Sequence, residues 1–112
     1  MGLYLCRVHY TPEAFEGMVA KPEDRFAPVT TLFETAGMKL LHMWFSPSSF
    51  ETIVIVEGDV VAGTTAEIVV MASGAVADVS TIELITTQQQ LDAMKGAAAV
   101  AARYRVPGKL AA

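Results

Sequence analysis

Basic residues, cysteine and long uncharged apolar runs are all scarce in this chain of 112 residues. Eight Lys and Arg against twelve Asp and Glu leave a net charge of −4, and an acidic balance without a basic cluster argues against a nucleic-acid-binding protein. The single cysteine, Cys6, cannot form an internal disulfide, and its apolar neighbours indicate a small core residue. The glycine-rich patterns that bind phosphates are absent from the sequence, so nucleotide binding has no support.

Membrane and export signals are also missing from the sequence. Charged residues interrupt each apolar run before it reaches the roughly 18 residues that a transmembrane helix needs. The amino terminus lacks the basic leader and the apolar core of a signal peptide. We therefore expect a cytoplasmic protein with no membrane partner.

Apolar residues, by contrast, are abundant. Counting glycine and leaving out tyrosine, 64 of the 112 residues are apolar, against roughly 45–50% in globular proteins. Leu, Ile, Val and Phe together number 31, too many for a disordered chain. Because a single small domain has little interior for this surface, we expect part of it to be buried against a second copy of the chain.

Four segments have the alternation or the β-branched composition that is typical of strands. They are residues 3–10, 38–45, 51–57 and 76–86. The second of these places Leu40, His42 and Trp44 on one predicted side. Only a short Ser and Pro turn separates it from the third, which predicts a hairpin.

Helical signals follow the first strand. Thr11-Pro12 combines an N-cap with a proline at the first helical position, and the helical pattern runs toward Gly37. We expect the helix to restart at Pro22. Pro28 is too deep for a first turn of that restarted helix and is predicted to kink or break it.

Two further helices are predicted. Residues 60–73 repeat apolar side chains at helical spacing and end at Gly74. Thr87-Gln-Gln-Gln90 matches a capping box ahead of the last apolar-periodic segment. The predicted order is therefore β-α-β-β-α-β-α.

This order predicts the fold class and the domain division. With right-handed crossovers, two β-α-β units around a hairpin form an α+β, ferredoxin-like βαββαβ domain with a four-stranded antiparallel sheet and a C-terminal helix. Helices cover only one face of this sheet. Exposing the other face to water costs about 25 cal/mol per Å² of apolar area. We therefore predict that two sheets pack face to face as a dimeric α/β barrel, with residues 1–95 as the domain and 96–112 as a C-terminal helical extension.

Six short motifs support this prediction. They are Leu3-Tyr4-Leu5, Tyr10-Thr11-Pro12-Glu13, Pro22-Glu23-Asp24-Arg25, Gly37-Met38-Lys39-Leu40, Ala72-Ser73-Gly74-Ala75-Val76 and Thr81-Ile82-Glu83-Leu84. In sequence and in order they resemble the GYD-domain family, over roughly residues 3 to 95. The resemblance implies a small protein of the dimeric α/β-barrel class, in a family whose biochemical role is not settled.

The chain departs from the signature that gives this family its name. Where the family has Gly-Glu-Tyr-Asp, this chain has Ser48-Ser49-Phe50-Glu51. Phe50 keeps the ring without the hydroxyl, and Glu51 keeps the carboxylate one methylene longer. Phe50 therefore cannot perform proton chemistry that a tyrosine would perform in relatives.

The candidate site is a pocket on the sheet. Its predicted lining is Arg7, His9, His42, Trp44, Phe50 and Glu51. A neutral histidine serves as a general base or hydrogen-bonding group near pH 7, and the alternative for both histidines is a strand residue satisfied by its neighbours. Trp44 and Phe50 would form an apolar wall beside His42, and the alternative for these rings is the core of a dimer.

Arg7 requires a carboxylate partner because its strand neighbours are apolar. Glu51, Asp78 and Glu83 are the candidates within the protein, and the acid group of a ligand is the alternative. We expect no metal and no cofactor, since the histidines lie on separate strands. Haem, which other proteins of this superfamily bind, would need an accessible histidine, and His42 is the candidate.

Two classes of function follow. The leading hypothesis is a small homo-oligomeric protein that binds a small apolar or acidic molecule. The alternative is a cofactor-independent enzyme, monooxygenase-like or isomerase-like, by analogy of fold alone. Convergence of Arg7, His42 and Trp44 with His9 or Glu51 around one cavity would favour the enzyme, whereas protein partners for each group would favour binding.

Overall fold

The computed structural model describes residues 2–108. Within them the chain forms four strands and four helices. The elements are β1 (Gly2–Tyr10), α1 (Pro12–Ala20), α2 (Phe26–Ala36), β2 (Lys39–Ser46), β3 (Glu51–Gly58), α3 (Val60–Ala72), β4 (Val76–Leu84) and α4 (Thr87–Ala101).

The strands form one antiparallel sheet in the order β2-β3-β1-β4. One face is covered by α2 and α3, because Phe33 and Ala66 of these helices join a buried cluster with Cys6, Val54 and Val56 of the strands. This α+β arrangement confirms the ferredoxin-like fold expected from the sequence. The first helical segment is two helices, so the full order is β-α-α-β-β-α-β-α.

The first helical segment is interrupted at residues 21–25, which include Pro22, but the helix restarts four residues later than predicted. Helix α1 ends at Ala20, and the chain around Pro22 is not helical, so the predicted restart there is wrong. Helix α2 begins at Phe26, whose backbone N–H donates to Asp24 Oδ1 at 2.9 Å. Pro28 is the third residue of α2, and the helix continues through it because first-turn N–H groups have no partner within a helix.

A β-bulge in β2 changes which side chains share a face. Leu40 pairs with Val56, but the next paired residue is His42, so Leu41 is an extra residue in the register. Leu40 is therefore buried on the helix-covered face, while His42 and Trp44 lie on the open face. The prediction that all three share one side is wrong for Leu40, because the extra residue inverts the alternation.

The open face of the sheet is largely apolar. By register, it carries Leu3, Leu5, Trp44, Ile53, Ile55, Ile82 and Leu84. The Trp44 side chain is 58% exposed and that of Ile82 is 49% exposed. Within residues 2–108 no helix packs on this face.

Helix α4 projects from the domain. The Thr86 side chain accepts from the N–H of Gln89, and the Gln89 side chain accepts from the N–H of Thr86. The capping box therefore exists one residue before the predicted Thr87 and Gln90. No residue of α4 is buried, and the described chain measures 68 × 29 × 24 Å. None of the helices in residues 2–108 combines the length and the apolar character that a bilayer span requires.

Candidate functional site

Arg7 and Glu51 form the centre of a charged cluster on the open face. The guanidinium donates from Nε at 2.9 Å and from Nη2 at 2.6 Å to Glu51 Oε1, and the Ser49 hydroxyl donates to the same oxygen at 2.9 Å. The Glu51 residue is only 2% exposed. Of the carboxylates considered for Arg7, the structure thus selects Glu51, which the hairpin brings to the end of β3 beside β1.

These contacts shift the ionisation of both groups. The hydrogen bonds from Arg7 lower the pKa of Glu51 below its usual value, the Ser49 hydroxyl acts in the same direction, and burial opposes the shift. The same carboxylate raises the pKa of Arg7. The pair is therefore ionised at neutral pH and is a structural ion pair.

His9 lies between two carboxylates. Its Nδ1 is 2.8 Å from Asp78 Oδ1 on β4, and its Nε2 is 3.4 Å from Glu51 Oε2. A carboxylate only accepts hydrogen bonds, so Nδ1 donates to Asp78. His9 is therefore held by protein partners on both sides, next to the ion pair of Arg7.

His42 and Trp44 form a separate pair at the β2 edge of the sheet. Their rings stack with centroids 4.9 Å apart and an angle of 9° between the planes. Trp44 lies opposite Ile53, which in turn lies opposite Arg7. Two strand spacings, about 10 Å, therefore separate the backbone of Trp44 from that of Arg7.

Phe50 does not join either group. Its ring lies against Phe15 of α1, with centroids 5.5 Å apart, and edge-on to Phe45 at 5.3 Å. Phe45 is on the helix-covered side of β2, opposite Thr52. The predicted wall of Trp44 and Phe50 is therefore wrong, because the hairpin turns the Phe50 ring to the other side of the sheet.

A cavity lies on that helix-covered side of the sheet, and the sequence analysis missed it. It has a volume of about 270 Å³ and lies between the sheet, α2 and α3. Its wall is mostly aliphatic and includes Val29, Leu32, Val54 and Val70. None of the six predicted site residues lines it. A signal was present, since Cys6, Val8 and Tyr10 alternate on β1 away from Arg7 and all three line the cavity.

A few polar groups interrupt this apolar wall. Arg25 lies just before α2 and lines the cavity, with its side chain 39% exposed. On the opposite helix Glu67 lines it as well, and the Thr81 hydroxyl donates to the Glu67 carboxylate. Burial raises the pKa of the Cys6 thiol, so this group is protonated and unreactive in the wall at neutral pH.

Comparison with protein families assigns the chain. The model of the GYD domain matches residues 4–94. The chain belongs to the GYD-domain family. A search of curated proteins finds no match to the chain.

The matched part of this GYD domain contains both features described above. It includes the Arg7–Glu51 pair and the residues that line the cavity, and it ends at Met94, in the middle of α4. Within the matched part, Glu51 is the buried partner of Arg7. In residues 2–108, no three His, Cys, Asp or Glu side chains are grouped to hold a metal ion.

Proposed function

We propose that this GYD domain is a homodimeric protein that binds a small apolar carboxylic acid in the cavity between its sheet and its helices. The observation that carries the proposal is the cavity itself, an aliphatic space of about 270 Å³ with an arginine in its wall. Ligand sites in proteins are typically apolar spaces with a few placed polar groups.

The size of the cavity limits the ligand. A cavity of about 150 Å³ holds benzene, so this larger space fits a molecule with one ring or a short aliphatic chain. Its aliphatic wall favours an apolar body, because polar groups buried there would lose their hydrogen bonds to water.

Arg25 is the group that favours an acid. It is the only Lys or Arg among the residues that line the cavity. Its Nη1 donates to Glu23 Oε1 at 2.5 Å, and both side chains are well exposed. Because exposed ion pairs contribute little, a ligand carboxylate can replace Glu23 at small cost. Glu67, the other charged lining residue, is occupied by Thr81.

The homodimer is supported by the open face of the sheet. Leu5 and Ile53 lie in neighbouring strands on this face, and Trp44 beside them is 58% exposed. Packing two such faces together would remove the apolar area from water and would stabilise the dimer by about 25 cal/mol per Å² of buried apolar area. The Arg7–Glu51 pair would then lie inside the dimer, already neutralised.

The enzyme alternative has weaker support. Catalysis would call for Arg7, His42 and Trp44 to meet His9 or Glu51 around one cavity. Arg7 and His9 are instead held by Glu51 and Asp78, and His42 stacks on Trp44 at the sheet edge.

Titration with hexanoate and 1-hexanol tests the binding proposal, with nuclear magnetic resonance of the full chain as the readout. We expect hexanoate to shift the signals of Val29, Val54 and Val70. Arg25→Gln should weaken hexanoate binding about tenfold, since a hydrogen bond to a charged group contributes roughly 1.5–3 kcal/mol, and should leave 1-hexanol binding unchanged. Lys21→Gln, a neighbouring cation outside the cavity lining, is the matched control. Binding that leaves the cavity signals unmoved would refute the proposal.

Sedimentation of the full chain tests the dimer. Ile53→Glu places a carboxylate on the open face and is expected to lower the mass of the sedimenting species, whereas Thr31→Glu on exposed α2 surface should leave that mass unchanged. A wild-type chain that sediments as a monomer at all concentrations up to the millimolar range would refute a sheet-face dimer.

A further inference from the structure

Charge is divided unevenly along this chain. Residues 87–112, here called the C-terminal arm, contain one acidic residue and four basic ones, a net charge of +3. The remaining residues, 1–86, carry a net charge of −7, and the two parts sum to the total of −4. The arm and the body of the chain therefore attract each other electrostatically.

The helix of the arm has an apolar stripe without a covering surface. Leu91, Met94 and Ala98 recur at the spacing of one helix face, and Leu91 and Met94 are 42% and 56% exposed. An isolated helix of 15 residues is marginal in water, and an interior glycine such as Gly96 costs it about 1 kcal/mol. A partner surface is therefore needed to keep α4 helical.

The outer side of α3 is an uncovered apolar surface of matching kind. Its side chains Val61, Ile68 and Met71 are exposed by 68%, 62% and 46%. Helices that are apolar around their whole circumference are normally buried. Here the inner side, with Ala66, faces the core, and the outer side has no cover within the described chain.

The charges beside this surface are acidic. Asp59 caps α3, and Glu83 lies on the neighbouring strand β4. The sequence from residue 40 to residue 94 contains no Lys and no Arg. We call Val61, Ile68 and Met71, with Asp59 and Glu83, the α3 surface. It resembles the arm in apolar character and is opposite to it in charge.

We propose that α4, the helix of the C-terminal arm, packs on the α3 surface of a second copy of the chain. Leu91 and Met94 meet its apolar side chains, and Lys95 meets its carboxylates. A second copy is favoured over nucleic acid or an anionic membrane because the charge of −7 on residues 1–86 repels polyanions. This interface is separate from the open sheet face, so it does not depend on the proposed sheet-face dimer.

Zero-length cross-linking of mixed isotopes tests the partner. Equal amounts of ¹⁴N and ¹⁵N full-length chains are mixed and treated with a carbodiimide, which joins lysine amines to carboxylates. We expect cross-linked peptides of mixed isotope content that join Lys95 to Asp59 or Glu83. Lys95 cross-links that stay within one isotope would show an arm folded on its own domain and would overturn the proposal.

Charge insertion in the arm provides the variant test. Leu91→Glu with Met94→Glu should reduce the mixed cross-links at least tenfold. Ala93→Glu with Val100→Glu, on the opposite side of α4, should change them less than twofold. Hydrogen exchange of residues 87–101 should slow as the protein concentration rises. Slowing that requires anionic vesicles or an oligonucleotide, and is unaffected by protein concentration, would assign the arm to those partners and overturn the proposal.

The two proposed interfaces can be tested and refuted independently of each other. Ile53→Glu should abolish the sheet-face dimer and retain the Lys95 cross-links. Loss of mixed cross-links in a wild-type protein that still sediments as a dimer would overturn the arm interface alone.

Discussion

The guanidinium of Arg7 directs both Nε and Nη2 to a single oxygen, Oε1, of Glu51. The other carboxylate oxygen, Oε2, is 3.4 Å from His9 Nε2. The Glu51 residue is nearly inaccessible to water, so its charge is balanced by these neighbours and not by solvent. This pair joins β1 to the first residue of β3.

Replacing Arg7 should destabilise the chain more than replacing Glu51. Arg7→Gln leaves a buried carboxylate without its cation and should lower the urea midpoint of unfolding more than Glu51→Gln does. The double variant should recover part of the loss from Arg7→Gln, because it removes the unpaired charge. Lys21→Gln, an exposed control, should change the free energy of unfolding by no more than about 0.5 kcal/mol. Equal effects of the two single variants would contradict this account of the pair.

The same pair makes stability depend on pH. Because the folded pKa of Glu51 is lowered from 4.5, the unfolded chain binds more protons than the folded chain between the two pKa values. The stabilisation is therefore present above about pH 4.5 and is lost as pH falls through the folded pKa. The gap in urea midpoint between the wild type and Glu51→Gln should narrow from about pH 6 to about pH 3. A gap that stays constant over this range would contradict the shift.

The backbone of Phe50 is strained, whereas its ring makes stabilising contacts. Its φ of 57° lies in the left-handed region, which costs a residue with a Cβ about 1 kcal/mol and costs glycine almost nothing. Phe50→Gly loses the contacts with Phe15 and Phe45 but relieves this strain, so it should be more stable than Phe50→Ala by about 1 kcal/mol. Chemical denaturation of both variants measures the difference. The reverse order would mean that the turn adopts another backbone in the variants.

Cys6 should be protected in the folded chain. The residue is 4% exposed, and burial raises the pKa of its thiol, so both access and thiolate formation are disfavoured. Alkylation by iodoacetamide should be at least tenfold slower without urea than in denaturing urea, and it should follow the unfolding transition. A thiol that reacts as fast in the folded protein as in urea would show that the cavity wall opens readily.

Local sequence patterns predicted the elements well but misplaced their ends and faces. Both Thr86 and Thr87 have a glutamine three residues later, so the pattern could not decide between two capping boxes. The bulge at Leu41 has no local signature either, and it moved Leu40 from the side of His42 to the opposite face. Such choices depend on which register buries more apolar surface, a property of the assembled sheet.

The candidate site was predictable only in part. An arginine among apolar strand residues predicted a carboxylate partner. Three candidates remained until the strand register placed Glu51 beside Arg7. Phe50 was assigned to the wrong side because one left-handed residue in the hairpin redirects its ring. The cavity was missed because its wall comes from two helices and all four strands, which are distant in sequence.

The sequence by itself determined the family, the α+β class, the four strands and the uneven charge, because periodicity, capping residues and composition are local properties of a chain. Only the tertiary structure decided that Arg7 pairs with Glu51, that His42 and Trp44 stand apart from them, and that the cavity lies under α2 and α3. The physical reason is that these relationships depend on strand register and side-chain packing, which exist only once distant segments meet.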